Sequence, residues 1–151
     1  GTADLGSNGA SYEIDAYAGF AKSFGDFGIN VGYAAYMYPE VPGAIGDSDI
    51  KEYIAGASFK DLSLTAYVNA EPDDFDDYKY YSLDYGFGAF GLHAGMTDVT
   101  SDGGDYNDYS VSYSPVENLT WTLSQASGDA IETDSAKDDP LVVVSYDVPF
   151  K

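Results

Sequence analysis

Between Ala10 and Glu40 the chain alternates between two classes of residue through two long stretches. Tyr12, Ile14, Ala16, Ala18 and Phe20 fall on one parity, and Glu13, Asp15, Tyr17, Gly19 and Ala21 on the other. Phe27, Ile29, Val31, Tyr33, Ala35 and Met37 then alternate with Gly28, Asn30, Gly32, Ala34, Tyr36 and Tyr38. Period two belongs to strands, whose successive side chains point to opposite faces; a helix would scatter this pattern around its circumference. Between the stretches lies Gly25-Asp26, and a two-residue turn puts its flanks, Phe24 and Phe27, on one face. The sequence therefore predicts a hairpin of two strands of roughly ten residues or more, against a usual mean of about five or six. A tilted strand needs about nine to eleven residues to cross a hydrocarbon layer.

The hairpin recurs. Tyr53, Ala55, Ala57 and Phe59 lead through Lys60-Asp61 to Leu62, Leu64, Ala66 and Val68. Tyr81, Leu83, Tyr85 and Phe87 lead through Gly88-Ala89 to Phe90, Leu92, Ala94 and Met96. Tyr109, Val111 and Tyr113 lead through Ser114–Asn118 to Leu119, Trp121 and Leu123, and LVVVSYDVPF closes a ninth strand. Three turns share one form, an aromatic residue, two turn residues and a second large apolar residue: SFGDFGI, SFKDLSL and GFGAFGL. Long acidic loops alternate with them at Pro39–Asp49, Glu71–Asp77, Thr97–Asp108 and Ser127–Pro140. All tight turns therefore share one end of the sheet and all long loops the other, the plan of an outer-membrane barrel.

Parity does not say which face looks inward. A soluble meander, sandwich or lipocalin-like barrel alternates too, with its apolar face enclosed. Three features favour the opposite orientation. The polar parity (Glu13, Asp15, Asn30, Glu52, Thr65, Asn69, Asp84, Ser110, Ser112) is also rich in Gly and Tyr, as in a crowded lumen. Aromatics gather near strand ends (Tyr12, Phe24, Phe27, Tyr53, Phe59, Phe87, Phe90, Tyr113), as in interfacial girdles. The strands are long, and the loops are segregated to one end. The expected fold is one all-β domain over residues 1–151: an antiparallel up-and-down transmembrane β-barrel with nine strands visible.

Charge narrows the function. Six Lys against 26 acidic residues leave a net charge of −20, which excludes nucleic-acid binding because phosphate contacts need Lys and Arg. The absence of Cys excludes disulfides and thiolate metal sites. No 18-residue apolar run and no secretory signal is present, so a mature or trimmed chain is expected. His93 is the sole imidazole and shares the polar parity with Gly95 and Thr97. With no G-x-S-x-G elbow, hydrogen bonding in a lumen suits His93 better than catalysis, and an enzyme is the least supported class. Asp73, Asp74, Asp76 and Asp77, and Asp102 with Asp105 in SDGGD, are candidate Ca²⁺ or Mg²⁺ ligands, set against a plain solvated acidic rim.

The stretch ASYEIDAYAGFAKSFGDFGINVGYAAYMYP (10–39), the repeated aromatic turns and the closing LVVVSYDVPFK resemble the TorF family of Gram-negative outer-membrane porins. The resemblance spans most of the chain and rests on strands and turns rather than on a chemically diagnostic motif. It implies additional strands upstream, three of them in a 12-stranded barrel, because single-chain bacterial barrels are even-numbered. It also implies outer-membrane lipid and lipopolysaccharide as surroundings and small solutes or ions as cargo. The expected function is passive, cation-preferring diffusion, with Glu13, Asp15, Glu52 and Asp84 lining the lumen and the acidic loops forming a vestibule. The rival is a non-conducting structural or surface-interaction barrel plugged by Tyr17, Tyr36, Tyr38, Tyr67 and Tyr80, its loops binding divalent cations or a partner. Nothing marks a subunit interface, and homo-oligomerisation stays open.

Overall fold

The computed structural model describes residues 2–3, 11–12, 14–37, 50–70, 78–99, 104–128 and 139–148. Two short strands, β1 (Thr2–Ala3) and β2 (Ser11–Tyr12), pair antiparallel in register Thr2↔Tyr12. The alternating segments then form β3 (Ile14–Phe24), β4 (Phe27–Met37), β5 (Ile50–Phe59), β6 (Leu62–Asn69), β7 (Tyr78–Phe87), β8 (Phe90–Val99), β9 (Tyr106–Val116), β10 (Leu119–Ser127) and β11 (Leu141–Tyr146). These nine strands make one antiparallel sheet in strict sequence order, an up-and-down meander whose two edges, β3 and β11, are unpaired with each other. The sheet is therefore open. It curls nonetheless, because Tyr36 on β4 and Asp108 on β9 line one cleft.

The turns behave as their chemistry dictates. Gly25 (φ 64°), Lys60 (φ 53°) and Gly88 (φ 60°) each take positive φ at the first turn position. A positive φ there and not at the second residue is the type II′ arrangement, which matches strand twist and favours glycine. Neighbouring turns are laced together: the Lys60 N–H donates to the Asp26 carbonyl (2.8 Å), Gly86 to Asp61 (2.9 Å), Ser114 to Ala89 (2.8 Å) and Asp147 to Asn118 (2.9 Å). All four turns thus form one rim, as the segregation of loops predicts. Lys60 occupies the left-handed position that glycine holds in the two sister turns, so Lys60→Gly should stabilise the sheet by about 1 kcal/mol. Chemical denaturation would show it as a raised midpoint, and an unchanged or lowered midpoint would contradict it.

Two boundaries differ from the sequence reading. The fourth turn is Glu117-Asn118 alone, since β9 runs through Pro115 to Val116; Asn118 takes positive φ (67°), and the β9–β10 register shifts between Leu119 and Trp121. A bulge next to the turn absorbs the extra residues that a five-residue turn would have held. The third long loop is also shorter than Thr97–Asp108, because β8 continues to Val99 and β9 begins at Tyr106. At the C-terminal end strand pairing stops at Tyr146.

The orientation of the sheet is inside-out by the standard of a water-soluble fold. Ile14 (46%), Val31 (57%), Leu64 (54%) and Leu83 (47%) are exposed on the convex face, whereas Glu52 (8%) and Ala34 (0%) are buried on the concave one. Asn69, Ser82 and Thr97 are buried there too. Small residues make this possible: a side chain at Gly56 would run into Asn30, and one at Gly95 into Asp108 and Tyr80. Around the turn end of the convex face the rings stack face to face or at a tilt, Phe27–Phe59 at 4.5 Å, Phe87–Phe90 at 5.5 Å and Phe90–Tyr113 at 4.8 Å between centroids. Lys22 and Lys60 lay their ammonium groups over Phe24 and Phe59 at this rim (5.0 and 5.4 Å).

Candidate functional site on the concave face

Cross-strand register fixes which side chains meet. On the concave side Ala34 faces Glu52, Glu52 faces Asn69, Tyr67 faces Tyr80, Asp84 faces His93 and Thr97 faces Tyr106. Two tyrosines on β7 then lean in opposite directions. The Tyr78 hydroxyl reaches back across two strands and donates to Glu52 Oε1 at 2.5 Å. Tyr36 lies beside the same carboxylate. The Tyr80 hydroxyl reaches forward across two strands and donates to Asp108 Oδ2 at 3.1 Å. Between them opens a cleft of 670 Å³ whose wall includes Thr97, Tyr67 and Tyr106.

His93 sits at the lower end of this cleft in a clamp. Its Nδ1 lies 2.6 Å from Asp84 Oδ1, its Nε2 lies 2.8 Å from Asp108 Oδ1, and the Tyr80 hydroxyl is 3.1 Å from Nε2. A carboxylate only accepts and a neutral imidazole donates from one nitrogen, so the two short contacts require two protons among the three groups. The clamp ties β7, β8 and β9 across the trough. Asp84 and His93 also line a second concave cleft toward the turn end, with Ser112, Thr120 and Thr122, so the clamp separates the two chambers. Replacing His93 with leucine leaves the two carboxylates without their shared donor and should cost about 1–2 kcal/mol, given their partial exposure. Denaturant unfolding would measure this, and a neutral effect would mean that the clamp is not maintained in solution.

The concave face is electrostatically one-sided. Its parity carries Asp15, Glu52, Asp84 and Asp108. Among the described residues no lysine shares it: Lys22, Lys51 and Lys79 pair opposite Ile29, Ala35 and Val68 on the convex parity, and Lys60 is in a turn. The chain has no arginine.

Of the residues singled out from sequence, Asp15, Glu52 and Asp84 lie on this face, with Glu52 and Asp84 in the clefts and Asp15 on edge strand β3. Glu13 and Tyr38 lie outside the described residues, as do Asp73, Asp74, Asp76, Asp77 and Asp102. Asp105 is described, and its Oδ1 accepts a hydrogen bond from the Val99 N–H at 2.9 Å, which closes its own loop. No group of acidic or imidazole side chains suited to a metal ion occurs among the described residues. Sequence reasoning passed over Asp108, Tyr78 and Tyr106 because it placed them in or beside loops, and it set Thr97 on the polar parity of His93 without giving it a role. Running the alternation of Tyr113, Val111 and Tyr109 two residues further would have put Asp108 and Tyr106 on the polar parity. No family model, characterised protein or solved structure matches the chain.

Proposed function

We propose that this chain forms the wall of an outer-membrane β-barrel that passes small solutes or ions and prefers cations, in keeping with its resemblance to the TorF family of porins. The observation that carries the reading is the exposure of the large apolar side chains on the convex face while the concave face buries Glu52, Asn69, Ser82 and Thr97. Burying such a side chain is worth roughly 1.5–3 kcal/mol, so leaving a whole sheet face in water would forfeit tens of kcal/mol. Lipid removes that cost. An 11-residue strand tilted by about 40° rises about 26 Å, close to the apolar band of such barrels. The aromatic rim and its snorkelling lysines suit the membrane interface.

Closure follows from direction. In the meander β3 and β11 run the same way, so an all-antiparallel barrel needs an odd number of further strands between them. Three would give twelve. A lumen with four carboxylates and no lysine on the described wall favours cations over anions.

Reconstitution of the full-length protein in planar bilayers tests the proposal. Stepwise conductance with a reversal potential of cationic sign in a salt gradient is expected, and absent conductance or anion preference would overturn it. A second reading, a non-conducting barrel, is favoured by one observation: Tyr17, Tyr36, Tyr67, Tyr78, Tyr80 and Tyr106 crowd the same face. Liposome swelling in small sugars separates the two, since a plugged barrel leaves the vesicles intact.

A further inference from the structure

We propose that the upper concave cleft is a binding site for a small primary-ammonium solute, held between the Glu52 and Asp108 carboxylates over the rings of Tyr67 and Tyr80. This deepens the pore reading by naming the class of cation that lingers in the lumen.

Charge is the first argument. Glu52, Asp84 and Asp108 line the cleft with His93 as the only basic group, so even with the imidazole charged the wall keeps an excess of negative charge. The hydrogen-bond partners of these carboxylates do not neutralise it. Tyr78 and Tyr80 donate hydrogen bonds to Glu52 and Asp108 but bring no positive charge.

The second argument is an orphan. Thr97 is only 6% exposed and lines this cleft, yet its Oγ1 is the one buried side-chain polar atom without a hydrogen-bond partner among the described residues. Buried hydroxyls are normally paired, so an unpaired one inside a cleft marks the place of a missing partner. It lies between Tyr80 and Tyr106 in register. A ligand that satisfies it as an acceptor while answering the carboxylates must bring N–H donors and positive charge together.

Aromatic lining is the third argument. With the Tyr78 and Tyr80 hydroxyls turned to carboxylates, and Tyr67 5.9 Å from Tyr80 between ring centroids at 47°, ring surface remains to cover an alkyl group or a cation. A hydrated alkali ion gains nothing from that surface, whereas an ammonium that carries an alkyl group does.

The probe is ethylammonium chloride, titrated at constant ionic strength into the detergent-solubilised protein. The C2 proton of His93, the chain's single imidazole, serves as the NMR reporter because His93 shares Asp108 with the cleft. Saturable shifts with a dissociation constant in the millimolar range are expected, the range open to so small a ligand. Glu52→Gln and Asp108→Asn should each weaken binding about tenfold, and Thr97→Val about threefold. Tetramethylammonium, which lacks N–H donors, and K⁺ should bind at least several-fold more weakly. Equal response to K⁺, no saturation by 100 mM, or indifference to Glu52→Gln in a variant that keeps its β-sheet circular dichroism would overturn the site. Because the readout needs no conductance, a failed pore experiment and a failed binding experiment are distinguishable.

Discussion

Replacing Val31 and Leu83 together with arginine should abolish stable insertion into vesicles. Both side chains stand near the middle of their strands on the convex face, on β4 and β7, and both are about half exposed. If lipid covers that face, each arginine sits near the bilayer midplane and costs about 2–4 kcal/mol. The pair then removes about 4–8 kcal/mol from a total stability of roughly 5–15 kcal/mol. On a water-facing sheet the same changes would cost a few tenths of a kcal/mol at most. The concave-face substitution Ser112→Arg is the control, because a water-lined lumen tolerates charge. Folded fractions in vesicles, read from protease protection and the heat-dependent shift in gel mobility, decide the matter. Normal folding of the double variant in detergent-free buffer would end the membrane reading.

Neutralising the lumen should erase its selectivity. The triple variant Glu52→Gln, Asp84→Asn, Asp108→Asn keeps side-chain volume while removing three of the four carboxylates on the described concave wall. The cation-to-anion permeability ratio should fall toward about one, since fixed wall charge rather than pore width sets the sign of selectivity in a water-filled barrel. The wild-type pore should respond to pH in the opposite sense. As His93 loses its proton the wall loses its only basic group, so cation preference strengthens as pH rises through the imidazole titration. A neutral ring also donates to only one of Asp84 and Asp108, so the clamp between the chambers loosens. The groups facing the ring are Asp84 and Tyr80 from β7 and Asp108 and Ser110 from β9, and His93→Gln should flatten the pH profile while leaving conductance in place. Unchanged reversal potentials in the triple variant would remove the concave carboxylates from any part in selectivity.

Much of this architecture is written in alternation. Val31 and Asn30 had to fall on opposite faces once β4 was a strand, and Gly25-Asp26 had to bring Phe24 and Phe27 to one side. Pairings across the two-residue turns, such as Phe59↔Leu62 and Phe87↔Phe90, then follow from turn length by counting. Counting failed where the signal thinned. Around Thr97–Asp108 a run of Asp, Gly and Ser reads as loop, and local composition hid that the strands enter it from both sides; the same happened at Pro115, tolerated in β9.

Sequence by itself determined that there are nine alternating strands, the register inside the tight hairpins and the two-sided character of the sheet, because period-two patterning and turn length are local properties of the backbone. Only the tertiary structure decided which side is concave and what meets there. Curvature is a property of the whole sheet, set by summed twist and by small residues such as Gly56 and Gly95 that let larger side chains lie across them. The same curvature let Tyr78 and Tyr80 reach carboxylates two strands away in opposite directions, closing contacts across 26 and 28 residues of chain. No spacing along the chain encodes such a contact; it exists only once the sheet has curled.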